Sequence, residues 1–161
     1  MNAVVIYSAD GHYDTWTWHI GAWPADRWLG VLHSAQELAD LLQARPYLEG
    51  RLPRAEQTEW RREALVVAAL GEAPSGGYAV RIRQVRVAER RQQVTLALKS
   101  PSPESLVIQI VTYPVDTVRV PKAELPYAQT GVALQGADTS SGMVGNWMFT
   151  APALPAVPAN R

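Results

Sequence analysis

Hydrophobic and polar positions change their spacing several times along this chain, and each change marks a predicted element. Ala3 to Tyr7 is a short apolar run closed by Asp10-Gly11, a turn dipeptide. From Tyr13 to Ile20, Trp16, Trp18 and Ile20 share one parity while Thr15, Thr17 and His19 share the other. That is the period of a half-buried strand, so residues 1–20 predict a hairpin. Gly21 to Trp28 reads as a loop carrying Trp23 and Trp28. Ser34-Ala35-Gln36-Glu37 is a capping box, and Leu38, Leu41 and Leu42 follow on one helical face until Arg45-Pro46 ends the run. It is the one helix expected, near residues 34–43.

The second half of the chain reads as strands. Ala64 to Leu70 is continuously apolar, as a central strand covered on both faces would be. Next, Val80 and Ile82 share one parity and Val85 and Val87 the other, which predicts a β-bulge near Arg83 or Gln84. Val94, Leu96 and Leu98 alternate cleanly. Val107 to Val111 is a further apolar strand by composition, Tyr113-Pro114 bends the chain, and Val118 with Val120 forms a last inward pair. Val132 to Leu134 and Asn146 to Phe149 are expected as short strands around a polar, glycine-containing loop. Ala151 to Arg161, with three prolines, reads as an unpacked tail.

The expected fold is therefore mainly β: a single twisted antiparallel sheet closing towards a barrel or sandwich, with one flanking helix. One domain spans residues 1–150. It comprises a tryptophan-rich hairpin (1–30), the helix and a connecting loop (31–62), a strand-rich core (63–122) and an irregular stretch (123–150). The tail is residues 151–161.

Composition narrows the function classes. With 161 residues, 47% apolar and 19% charged, the chain is a globular protein able to bury a sizeable core. Fifteen basic residues balance fifteen acidic ones, which speaks against a nucleic-acid groove. The local run Arg81, Arg83, Arg86, Arg90 and Arg91 reads as the wet face of a strand. Cysteine is absent, so disulfides, thiolate metal sites and a cysteine nucleophile are excluded. No window is apolar enough for a membrane span. The N-terminal residues read as a strand rather than a signal peptide. The expected compartment is the cytoplasm if Met1 is native, and the envelope or exterior if an export signal has been removed.

Candidate chemistry is sparse. Gly71 and Gly76 have the separation of P-loop glycines, but Gly77 and Tyr78 stand where lysine and Ser/Thr are needed, and a strand follows instead of a helix. His12, Asp14, His19 and His33, with Asp10, lack metal-ligand spacing and read as solvated strand and turn residues. Ser141-Gly-Met-Val-Gly is not a nucleophile elbow. No catalytic, metal or cofactor site is expected, and the protein is expected not to be an enzyme. What stands out is Pro74-Ser75-Gly76-Gly77-Tyr78 between two apolar strands. Adjacent glycines permit a tight turn and leave main chain bare, a property suited to contact with another chain. The tryptophans read mainly as core residues, with Trp23 and Trp28 the candidates for surface contact.

Four ordered motifs over residues 65–122 resemble the C-terminal domain of the PrcB family, named for an accessory subunit of a bacterial surface protease complex. They are Gly71-Glu72-Ala73-Pro74-Ser75-Gly76-Gly77-Tyr78, Ser100-Pro101-Ser102-Pro103, Gln109-Ile110-Val111-Thr112-Tyr113-Pro114 and Val118-Arg119-Val120-Pro121-Lys122. The helix and Leu52-Pro53 resemble the family's lead-in more loosely. The chain departs from the pattern at Glu104, where the family often has glycine, and at Glu59-Trp60, near where it has Asp-Phe. The resemblance implies a non-enzymatic domain that binds or stabilises a protein partner, in that family sometimes an envelope protease. The expected contact residues are Pro74, Ser75, Gly76, Gly77 and Tyr78, with Trp23 and Trp28 secondary. The same loop is also similar to the Pro-Thr-Thr-Gly-Tyr loop of chagasin-type cysteine peptidase inhibitors, for which Gly142 to Gly145 would have to supply an accompanying loop. A third reading is a carbohydrate- or cell-wall-binding module using the tryptophans.

Overall fold

The computed structural model describes residues 4–11, 13, 16–18, 26–88, 91–125, 132–134, 141–144 and 147–150. They form a mainly β structure with one α-helix. The strands are β1 (Val4–Ser8), β2 (Trp28–Leu32), β3 (Glu63–Ala69), β4 (Ala79–Ala88), β5 (Arg91–Lys99), β6 (Val115–Pro121), β7 (Val132–Leu134), β8 (Ser141–Val144) and β9 (Trp147–Thr150). They divide into a five-stranded sheet, β1-β4-β5-β9-β8, and a four-stranded sheet, β6-β3-β2-β7. Of the two closures expected, the sandwich is the one adopted, and the sheets do not join into a barrel. All described pairs are antiparallel except β5 with β9.

Two apolar layers hold the sheets. Between them lie Leu29, Val31, Val66, Ala68, Val118 and Val120 from the smaller sheet, against Val80, Ile82, Val85, Val94, Leu96 and Phe149 from the larger. On the outer face of the smaller sheet, Trp28, Leu32, Leu65, Val67 and Ala69 pack under Leu38, Leu41, Leu48 and Leu52. Strand β3 is thus covered on both sides, and Ala64 to Ala69 are each 0% exposed. Its unbroken apolar run is the signature of that position.

Helix α1 (Ala35–Ala44) starts where the capping box places it. Ser34 Oγ accepts from Glu37 N–H at 3.1 Å, while Glu37 Oε1 accepts from His33 N–H at 2.6 Å, one residue upstream of the usual return bond. The expected bulge is present: Ile82 opposes Leu96 and Gln84 opposes Thr95, so Arg83 is the extra residue. It lets both halves of β4 face the core despite their change of parity.

Three local expectations give way. Among the described residues the N-terminal hairpin is not formed: β1 pairs with β4, and Tyr13, Trp16, Thr17 and Trp18 lie in no strand. The partner distant in sequence wins because β4 has a free edge beyond its bulge, and a ladder there packs Ile6 and Tyr7, partly buried, against the core. Trp28 opens β2 instead of closing a loop; the five residues Trp28 to Leu32 are all buried. Val107 to Val111 is not a strand but part of the exposed connection from β5 to β6. The expected short strands near 132–134 and 147–150 are present, and Ser141–Val144 adds β8 beside the latter. The tail at 151–161 lies outside the described residues. No helix among the described residues is long and apolar enough to cross a membrane.

Candidate functional site

The Pro-Ser-Gly-Gly turn joins β3 to β4 and is held from behind by the β5–β6 connection. Ala73 and Thr112 form an isolated antiparallel bridge, with N···O distances of 2.8 and 2.9 Å. Thr112 Oγ1 donates to the Ser75 carbonyl at 2.8 Å, and Gly76 N–H donates to the Ile108 carbonyl at 2.8 Å. Gly77 adopts φ +89°, and a Cβ there would lie 3.0 Å from Pro101 Cβ and 3.1 Å from Val107 Cγ1. Glycine is therefore required at 77 for both conformation and space. Gly76 has no such demand: an added Cβ would meet only Ile108, at an ordinary 3.6 Å or more.

This clamp decides which side chains the turn offers to solvent. Glu72, Pro74 and Gly77 are exposed and Gly76 is half-buried. Ser75 is buried, with its hydroxyl donating to the Gly76 carbonyl at 2.9 Å, so it shapes the turn from inside. Tyr78 is half-buried against the inter-sheet core, edge-on to Trp18 with ring centroids 6.0 Å apart. Beside it opens a cleft of about 260 Å³ lined by Trp16, Tyr78, Ala79, Val80, Arg81, Pro114 and Val115. At its rim Arg81 pairs with Asp116 at 3.4 Å, and Asp116 Oδ2 accepts from Ile82 N–H at 2.8 Å. One carboxylate thus ties the mouth of one sheet to the other.

The far end of the β5–β6 connection is anchored on the helix layer. Tyr113 stacks on Tyr47 at 4.6 Å, and the Arg51 guanidinium lies 5.0 Å above its ring. Between these anchors the chain exposes an apolar ridge that composition had assigned to a strand. Leu106 is 101% exposed, Ile108 69%, Ile110 59% and Val111 48%. Sequence reasoning missed this surface because apolar, β-branched residues read as buried strand whether or not a sheet receives them.

The other candidates fall elsewhere. Trp28 is 7% exposed and packs under the helix, which removes it from the surface; its place in the unbroken run Trp28 to Leu32 is the available signal. Trp23 lies outside the described residues, as do His12, Asp14 and His19. Among the described tryptophans, Trp18, Trp28 and Trp147 are buried and Trp16 and Trp60 half-buried, an arrangement that offers no exposed stacking platform. Gly142 to Val144 lies in strand β8, not in a loop, and Gly145 is outside the described residues. His33 faces Glu37, with Nδ1 and Oε1 3.7 Å apart. Burial holds its pKa below the ordinary 6.5, helped by Lys122 and opposed by Glu37. Lys122 Nζ itself donates to the carbonyls of His33 and Trp60, stapling the end of β6 to the entries of the helix and of β3.

The motif residues of the sequence thus converge: Thr112 and Pro101 clamp the turn, Pro114 accepts from Leu70 N–H at 3.0 Å, and Lys122 staples the far end. Residues 64–121 match the family model described as PrcB C-terminal. The match begins in β3 and ends in β6, and so takes in the turn, its clamp and the ridge. No curated protein and no solved structure matches the chain.

Proposed function

We propose that this protein is a non-enzymatic interaction or accessory module that binds a protein partner through the turn at residues 72–78. The observation that carries this reading is the clamped turn. Glu72, Pro74 and Gly77 face solvent while four backbone and side-chain hydrogen bonds fix the main chain behind them. A contact loop fixed before binding loses little conformational freedom on association. Its position inside the segment that matches PrcB C-terminal supports an accessory role, with a protease as the partner class that the resemblance suggests. The adjoining cleft, bounded by Trp16, Tyr78 and Pro114, has room for one apolar side chain of the partner.

The test is affinity capture from cells of the source organism, comparing wild type with Pro74→Arg and Gly76→Trp. Pro74 is exposed and a Cβ at Gly76 would make only ordinary contacts, unlike at Gly77, and the fold of each variant is checked by circular dichroism before capture. A protein retained by wild type and lost by both folded variants is the expected outcome. Equal retention by all three would move the contact away from the turn.

A further inference from the structure

The bulge in β4 sets two polar side chains side by side. Ile82 and Val85 both point into the inter-sheet core, so Arg83 and Gln84 between them face the outer side of the larger sheet. Gln84 stands in register with Ser8 on β1 and with Thr95 on β5. Residues paired in this way share a face, and Thr95, flanked by the buried Val94 and Leu96, lies on the outer one. A row of hydroxyl, carboxamide and hydroxyl therefore crosses three strands, with the Arg83 guanidinium beside it. A pocket of about 240 Å³ opens there, lined by these four residues and by Tyr13. It shares no lining residue with the cleft beside the turn. Tyr13 forms a fixed wall: its ring is edge-on to Trp16 with centroids 4.9 Å apart, and the Arg83 guanidinium lies 5.6 Å from its centre. Its hydroxyl donates to the Asp10 carbonyl at 3.3 Å, and Gly11 makes room for the ring, since a Cβ there would lie 3.1 Å from it. Ala9 N–H donates to the Arg83 carbonyl at 2.8 Å and ties this loop to the bulge.

We propose that this pocket binds a small hydroxylated carboxylate of monosaccharide size, a sugar acid in chemical class. Arg83 is the one charged residue in the lining, and the neighbouring Asp10 is exposed and lines no part of it, so the pocket favours an anion. A guanidinium takes a carboxylate through two parallel hydrogen bonds. Among the described residues, the side chains of Ser8, Arg83, Gln84 and Thr95 take part in no hydrogen bond or ion pair, and all but Ser8 are half-buried. Their donors and acceptors are thus all available to one ligand. The row repeats at the strand spacing of about 4.8 Å, which suits hydroxyls on alternate carbons of a sugar ring better than it suits a bare anion. The volume equals that of about eight waters, enough for one such ring and too little for a longer chain. In the bound state the carboxylate lies on Arg83, the hydroxyls on Gln84, Thr95 and Ser8, and the ring against Tyr13.

Titration of the purified, nitrogen-15-labelled protein with sodium glucuronate, followed by amide chemical shifts, tests it. Saturable shifts should centre on residues 8, 83, 84 and 95, with a Kd on the order of 1 mM for an acid of this size. Glucose, which keeps the ring and loses the charge, and acetate, which keeps the charge and loses the hydroxyls, should each bind at least about tenfold more weakly. Arg83→Gln and the isosteric Thr95→Val both leave the strand backbone as it is, and the same spectra show that each variant is folded. The first should weaken glucuronate binding at least about tenfold and the second about threefold. No saturable shift up to about 50 mM glucuronate overturns the proposal. So does either control binding as tightly as the acid, or affinity that is indifferent to both variants. None of these results bears on the contact proposed for the turn, whose capture test uses other residues.

Discussion

Gly76 and Gly77 are neighbours in sequence with different physical duties. Gly77 sits at positive φ with Pro101 and Val107 where a side chain would begin, whereas Gly76 has ordinary clearance. Gly77→Ala should therefore cost about 1–2 kcal/mol in urea unfolding, and Gly76→Ala no more than about 0.5. Equal losses would mean that the clamp does not set the turn. At His33, burial keeps the folded-state pKa below 6.5. The unfolded chain then takes up its proton first as pH falls, so stability is full above about 6.5 and declines below it, towards the folded value. His33→Gln should flatten that part of a stability–pH curve; an unchanged slope between pH 7 and 5 would refute the assignment. The double glycine was legible as a turn from its spelling. That only one of the two is sterically obligatory was not, because the obstruction comes from residues 24 and 30 positions away.

Elements with a strong local signature were legible: the capped helix, the doubly buried β3, and the bulge in β4 that the parity change required. The failures share one cause, competition between partners. An N-terminal strand that could pair locally pairs with β4 instead, and an apolar run fit for a sheet is left outside both. Sequence period reports that a segment suits a strand, not that a neighbour is available. Asp116 illustrates a link between elements that no period reveals. It accepts from Ile82 N–H at 2.8 Å beside the bulge and pairs with Arg81, joining β6 to β4 across the two sheets. Asp116→Ala should lower stability by about 1–3 kcal/mol, the effect of leaving a partly buried donor unmatched. A loss below about 0.3 kcal/mol would show that water replaces the carboxylate there.

At the scale of the molecule, a sandwich backed by one helix layer presents a fixed turn and an apolar ridge at the connection between β5 and β6. The two sheets supply rigidity, and the loops between their strands supply the surface, a common division of labour in β domains. Within the matched segment, the motif residues Thr112 and Pro101 clamp the exposed turn and so hold it in one shape. The mainly β class and the location of the candidate turn were readable from spacing and from motif resemblance. The exposed ridge was not, because exposure is decided by the whole fold.

Contact between the turn at residues 72–78 and a protein partner, as proposed above, can be read directly in the cell. The most direct measurement is a photo-crosslinking residue placed at Pro74 in cells of the source organism, with the exposed Glu49 on the helix side as control. A discrete protein adduct from position 74 and none from position 49 is the predicted result. No adduct from 74, or the same adduct from both positions, would contradict the account.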